Sequence, residues 1–325
     1  MTERNCGRWA GAALLCGAAT LISLAAYGAE KDKQAADLAR YKALLAGAAA
    51  MLEAESDPDA LAAAGLFRWR TDSEHALRLF ERASRAQMSP PGITWLHAAL
   101  CGATSACDPA PLEARFRAQD PGNVLGWFAD IHRAYAAGDN RALEAALARA
   151  ATLPVVNIHF TSNIGRLATA VDRARALTPG EALTSVTGEL SGAPVLVQLT
   201  AVARACDEKS LQQPARARSC RALAQSMMAG DTVLAEMLGA AIAKRAWPTN
   251  SAEWDAAVEA RRVHRYRVER LTPLERVLEG DEQAARDVIA LFKVLSREQD
   301  VLVARLEAHA IDPVPPAGWR ESAPP

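Results

Sequence analysis

Apolar residues recur along most of this chain at steps of three and four. Leu77, Phe80 and Ala83 share one helical face, and so do Val288, Leu291, Phe292, Leu295, Leu302 and Leu306. Residues that start helices stand between these runs. Asp57-Pro58, Asp108-Pro109 and Asp120-Pro121 each offer a carboxylate cap followed by a proline that a first helical turn tolerates. Thr71-Asp72-Ser73-Glu74, Thr178-Pro179-Gly180-Glu181 and Thr272-Pro273-Leu274-Glu275 have the spacing of a capping box. There the hydroxyl and the carboxylate each bond the other's exposed peptide N–H. Asn250 with Glu253 is a weaker version. Starts this frequent predict helices of about 10 to 18 residues joined by short turns. Val155 to Phe160 alternates apolar with polar residues, and Val195-Leu196-Val197 is rich in β-branched residues. Neither has a pairing partner in the sequence, so both are expected to be helix. The expected fold class is therefore all-α, built of stacked antiparallel helix pairs. Beyond Asp312 come Pro313, Pro315, Pro316, Pro324 and Pro325, a tail that is expected to be non-helical and loose.

The helices also repeat. Ala76, Phe80 and Ala83 define one, Leu112, Phe116 and Ala118 a second, and Ala142, Ala146 and Ala150 a third. The last Ala of each set falls at 83, 118 and 150, steps of 35 and 32. A period of about 34 built from paired helices marks a helical solenoid, because one pair cannot hide its apolar face alone.

The stretch Asn123 to Ala150 resembles a tetratricopeptide repeat. Trp127 matches the large residue early in the first helix, Gly138-Asp139 the turn, and Ala142 the small residue at the helix crossing. Ala146 sits where an aromatic is more usual, and Asp130 and Ile131 where a Leu and a small residue are. Asp57 to Ala83 is a second, partial match, so the resemblance covers about residues 56–155. It implies an α-solenoid whose concave groove, lined by the first helix of each pair, holds a protein or peptide. Arg68, Arg70, Asp130 and Arg133 are candidate groove residues, because they interrupt otherwise apolar first helices. Trp127, with Phe128 and Tyr135, is the best aromatic cluster, for the groove or for packing between repeats. Beyond about residue 155 the repeat fades. The expected organisation is a helical-repeat domain over 29–247, a C-terminal helical segment over 248–311 that caps the stack, and the tail over 312–325.

Residues 1–28 read as a secretory signal. Arg4 and Arg8 precede an uncharged run from Trp9 to Gly28, and Ala26-Tyr27-Gly28 puts small residues at the two positions a signal peptidase reads. An uncleaved anchor is the rival, since about 20 uncharged residues can span a bilayer. A lipidated Cys16 is the third reading. All three place the bulk of the chain outside the cytoplasm, periplasmic or secreted, with membrane contact only through this segment. Four cysteines lie beyond it: Cys101, Cys107, Cys206 and Cys220. An even number in an exported chain suggests disulfides. Of three connectivities, Cys101–Cys107 with Cys206–Cys220 closes the shortest loops, worth about 2–3 kcal/mol each on the loop-closure model.

Composition narrows the function by exclusion. Half of the 325 residues are apolar and 23% are charged, which excludes a disordered chain. The formal net charge of -1 excludes a globally basic nucleic-acid binder. The sequence shows no glycine-flanked nucleophilic Ser, no phosphate loop and no pair of His at metal-binding spacing. No catalytic residue, metal site or cofactor is therefore expected. Arg261-Arg262-Val263-His264-Arg265-Tyr266-Arg267 is the most charged stretch, read as a solvated helix balanced by nearby Glu, or as a basic face for lipid headgroups or acidic glycan. The leading expectation is an exported scaffold or adaptor with a protein or peptide partner. The alternatives are an envelope enzyme with a site assembled from distant helices, and an inhibitor or immunity-type protein.

Overall fold

The computed structural model describes residues 35–320 apart from 88, 105, 193, 194 and 279. Residues 1–28, expected to be a signal, with Cys6 and Cys16, and the final five residues lie outside the described residues. The chain divides into two compact units, Met1–Gly47 and Ala48–Pro325. Helix α1 (35–53) begins in the first and ends in the second. Everything below concerns the second.

Among the described residues there are fifteen α-helices and no strand, so the all-α expectation holds. Three pairs come first: α2 Pro58–Arg68 with α3 Ser73–Arg85, α4 Pro91–Gly102 with α5 Ala110–Gln119, and α6 Phe128–Ala137 with α7 Asn140–Ala150. Then follow α8 Phe160–Arg173, α9 Pro179–Ser191, α10 Val195–Ala205, α11 Pro214–Met228, α12 Val233–Ala246, α13 Ala252–Leu278, α14 Glu282–Val294 and α15 Glu298–Ala308. None of the described helices is long and apolar enough to cross a membrane. Contacts also run between elements distant in sequence. Helix α8 packs against α2, α4, α9 and α14, and α10 against α6 and α12. Helix α13 packs against α12, α14 and α15.

Local chemistry explains most boundaries. Asp57 caps α2 ahead of Pro58, accepting from Ala60 N at 3.3 Å. Thr178 and Glu181 form the reciprocal capping box at α9. Gly138, at φ 66°, ends α6 in a left-handed turn that glycine enters without strain. Ser251, not Asn250, caps α13 by accepting from Trp254 N at 3.3 Å, and four further expectations need correction. Asp72, not Thr71, caps α3, because its carboxylate reaches His75 N at 3.0 Å. Asp120-Pro121 starts no α-helix; Asn123 caps the 3-10 turn Val124–Trp127 instead. Thr272-Pro273 starts no helix either, for α13 runs through it. The Thr272 hydroxyl donates back to Val268 O at 2.8 Å within the helix. Buried Tyr266 and Leu271 continue the apolar face that holds α13 on its neighbours.

The fourth correction shapes the molecule. Val155 to Ile158 is extended, not helical, and His159 turns into the left-handed region at φ 57° ahead of α8, while Val195–Ala205 is helix as expected. Pro154 has no N–H to give a helix. Val156 and Ile158 are 3% exposed, so the period-two pattern is real, but helices wall the segment in rather than strands. Val124 N donates to Val155 O at 2.8 Å, and this is an isolated parallel bridge. Asn123 donates to Asn157 O at 2.7 Å and accepts from Asn157 N at 3.2 Å. Asp231 closes the other side: its N–H donates to Val156 O at 3.1 Å, and its carboxylate accepts from Ile158 N at 2.7 Å.

Both local cysteine pairs are disulfides. Cys101–Cys107 ties the end of α4 to the following loop, with Cα atoms 5.5 Å apart, and Cys206–Cys220 ties the end of α10 to α11, with Cα atoms 5.7 Å apart. Two such bonds point to an oxidising compartment. Over 312–320 the proline-rich segment is not helical and lies along α13: Arg267 Nε donates to Pro313 O at 3.1 Å, and Trp319 meets the Tyr266 ring edge-on at 5.5 Å.

Helices α8 and α14 cross at Gly165, where an added Cβ would sit 2.6 Å from the Phe292 carbonyl carbon and oxygen. Backbone cannot yield there as a side-chain tip would. Gly165→Ala is expected to destabilise the protein by about 1–3 kcal/mol. Gly188, exposed in α9 with nothing within 4 Å of an added Cβ, is the control. Gly188→Ala is expected to be stabilising by about 0.5–1 kcal/mol. Denaturant melts of the two variants check both signs.

Candidate functional site

The five candidate groove residues are engaged within the fold. Arg68 pairs with Glu53 at the end of α1. Arg70 donates to Glu189 of α9 at 3.0 Å. Arg133 grips Glu113 of α5 through two bonds of 2.6 and 2.8 Å and also reaches Asp130 at 2.5 Å. Glu113 above all, helped by Asp130, raises the Arg133 guanidinium above its ordinary range. Arg117 joins α5 to this network through Asp130 at 3.0 Å. Trp127 has Arg117 and Arg149 guanidiniums 5.1 and 5.3 Å from its ring centroid. Helix pairing consumes these charges.

A pocket of about 370 Å³ lies elsewhere, and its wall includes none of those five residues. Trp95 and Leu96 come from α4, Ile158 from the extended segment, and Phe160 and Asn163 from α8. Leu190 and Ser191 end α9, and Leu199 belongs to α10. Thr232, Val233, Leu234 and Met237 form the start of α12, while α13 gives His264 and α15 gives Glu298. Helix α4 is buried all round from Gly92 to Cys101, so its apolar residues face both core and pocket. The extended segment is what lets Ile158 and Phe160 stand side by side on the wall.

Polar groups enter this apolar wall at few points. The Glu298 carboxylate accepts from Val233 N at 2.8 Å, satisfying an open N–H in the first turn of α12, where the helix dipole favours negative charge. Burial nonetheless raises its pKa, and Asp231 and Glu236 push the same way. The Glu298 N–H donates to Asp231 O at 2.7 Å, so the two acidic residues are joined through the backbone. Asp231 is 6% exposed, and burial lifts its carboxyl to about 6 against the pull of Ile158 N–H. One of its oxygens, Oδ2, has no partner among the described residues. Burial, with Arg267 and Arg265, lowers the His264 pKa and favours the neutral ring. Asn163 is 2% exposed, and its Nδ2 has no partner among the described residues. The wall thus offers an apolar body with one imidazole whose pKa burial lowers and one carboxyl whose pKa burial raises.

Outside this wall His75 pairs with Glu53 at 3.1 Å, and two further histidine pairs are more buried. Ser84 Oγ is 3.1 Å from His97 Nδ1, but these residues are 1% and 6% exposed. Burial lowers His97 to about 4, so it is a neutral core residue that no substrate reaches. His159 Nε2 is 3.0 Å from Asp120, which this hydrogen bond holds below the usual carboxylate range. Among the described residues no three His, Cys, Asp or Glu side chains are grouped to hold a metal ion. No local motif marks Glu298 or Asn163 as wall residues or Asp231 behind them, and the sequence places His264 only within a charged helix. Asp231-Thr232 before the Val233 run was the available signal, a helix-start pattern beside a buried carboxylate.

Asp231 gives the fold a pH signature. Its carboxyl has an ordinary value of 3.8 and titrates at about 6 in the folded chain. Below the lower value it is neutral in both states and costs nothing. As pH rises, the unfolded chain ionises first, and stability falls until the folded carboxyl also ionises. The loss is about 2–3 kcal/mol, complete above the folded pKa. Asp231→Asn removes this component, so its stability relative to wild type is expected to rise by that amount between about pH 4 and pH 7. Urea melts of both proteins at the two pH values measure the difference; a gap that stays constant would exclude the mechanism.

No protein-family model, curated protein sequence or solved structure matches this chain.

Proposed function

We propose that the chain is an exported helical scaffold that binds a ligand with an apolar body and one uncharged polar group in the pocket between α4, α8, α12 and α15. The observation that carries this reading is the cavity of about 370 Å³, walled by Trp95, Leu96, Phe160, Leu199 and Met237 and broken by few polar groups. Volume and lining match what small-molecule sites require, since burial supplies affinity and a few fixed polar groups supply orientation. A peptide that offers an apolar anchor is one such ligand, which keeps the protein or peptide partner within the proposal. The disulfides support export to the periplasm or beyond. The pairing of α2 with α3, α4 with α5 and α6 with α7 supports a short stack of the tetratricopeptide kind. Helices α13–α15 would close it, with α14 returning to α8.

A second reading is an enzyme, favoured by one observation. Glu298 on the pocket wall has a pKa raised by burial, the condition of a general acid, and its N–H bonds the backbone of buried Asp231 behind the wall. Binding is preferred because, among the described residues, no hydrogen bond joins the Ser191 or Thr232 hydroxyl to His264, as a nucleophile with its base would need.

Titration of the oxidised full chain with the neutral fluorophore N-phenyl-1-naphthylamine tests the proposal. Saturable 1:1 binding is expected. Met237→Trp, which fills the cavity from α12, is expected to weaken it at least about tenfold while the melting temperature stays close to wild type. Absence of binding by wild type, or equal binding by a folded Met237→Trp, would overturn the reading. Glu298→Gln separates the two readings: a binding protein keeps its ligand unchanged, whereas an enzyme's slow consumption of bound ligand would stop.

A further inference from the structure

A second cavity, of about 410 Å³, shares no wall residue with the first. Its wall holds Lys244, Arg261, Arg262, Arg265, Arg320 and Trp319, with Val258 at its floor. Five of these side chains are cations and none is an acid. Val258, Arg261, Arg262 and Arg265 stand at i, i+3, i+4 and i+7 on α13, which puts them on one face. Lys244 arrives from the last turn of α12. Trp319 and Arg320 arrive because the proline-rich segment runs back along α13. Arg267 fastens it at Pro313, a turn with Gly318 at φ 81° follows, and Trp319 N donates to Pro316 O at 3.0 Å. The indole leans edge-on against Tyr266, itself 5% exposed, and this holds the ring at the cavity.

The charge balance is what the segment Arg261 to Arg267 alone does not reveal. Glu259 clasps Arg262 through bonds of 2.7 and 2.8 Å. Among the described residues no carboxylate bonds Lys244, Arg261 or Arg320. Gathering cations from three parts of the chain around one concavity builds local positive potential that a bound anion relieves. A guanidinium cluster suits phosphate, sulfate or carboxylate oxygens. The aromatic face beside it suits the apolar side of a sugar ring, which packs on an indole while its anionic substituent lies in the cation cluster.

We propose that this cavity is a binding site for an anionic saccharide, with Trp319 under the sugar ring and Lys244, Arg261 and Arg320 on its charged groups. The site stands independently of the apolar pocket. Isothermal titration of the disulfide-bonded full chain tests it, with a sulfated heparin hexasaccharide, a neutral maltohexaose and inorganic phosphate as separate probes. Saturable binding of the hexasaccharide is expected, weakening as salt screens the charges over roughly 10 Å or less. The neutral sugar is expected not to bind. Arg261→Ala with Arg320→Ala is expected to raise the hexasaccharide Kd at least about tenfold with an unchanged helical spectrum. Trp319→Leu is expected to weaken the hexasaccharide but leave any phosphate binding as it was. Equal affinity in the double variant, equal affinity for maltohexaose, or binding of phosphate without the saccharide would each overturn the proposal.

Discussion

A non-helical peptide segment packed among helices has no sheet to satisfy it, and residues 156–158, with Val156 and Ile158 buried, are in that position. Each N–H and C=O left without a partner there would cost about as much as a lost hydrogen bond. Asn123 and Asp231 act as substitutes for neighbouring strands, one on each side. Asn123 belongs to the turn before α6 and Asp231 to the turn before α12, so the segment joins the early helix pairs to the later ones. Its alternation then has a use. Val156 and Ile158 are both buried, and Ile158 with Phe160 enters the pocket wall. The non-helical stretch contributes Ile158 to a pocket wall that is otherwise built from helices.

The same arrangement explains where the fold carries unrelieved polar cost. Asp231 accepts from Ile158 N–H yet lies where a negative charge is poorly solvated, and one oxygen stays without a partner among the described residues. Glu298 follows through the backbone bond to Asp231 and is turned to the first turn of α12. A buried carboxyl kept because it orders backbone is a local compromise, and such compromises gather where a protein has work to do. The contrast with Glu113, Asp130, Arg117 and Arg133 is instructive. That network is fully paired, joins α5 to α6, and has no charge to spare for a ligand.

Net charge near zero conceals a strong separation. Acids neutralise arginines at the helix pairs, while the α12, α13 and 312–320 junction gathers cations around one hollow. Polar groups thus sit in three settings in this molecule: spent on pairing, buried as backbone partners, and displayed. Residue type does not distinguish the three; arginine appears in the first and the last.

What residue order determined here is whatever depends on near neighbours. Helical spacing gave an all-α chain, Thr178 with Glu181 closed its box, Asp57 capped before Pro58, and cysteines six and fourteen residues apart paired locally. Local pattern misled where distant packing outweighed it. Thr272-Pro273 lies within a helix that the apolar face of α13 carries onward, and Val155 to Ile158 is extended with partners, Asn123 and Asp231, that stand far along the chain. The pocket was beyond reach for the same reason. Its wall draws on α4, α8, α9, α10, α12, α13 and α15, and no spacing within one segment records which of those helices meet. Tertiary structure alone decided which arginines are spent and which are offered, because a charge's role depends on the neighbours that folding brings to it.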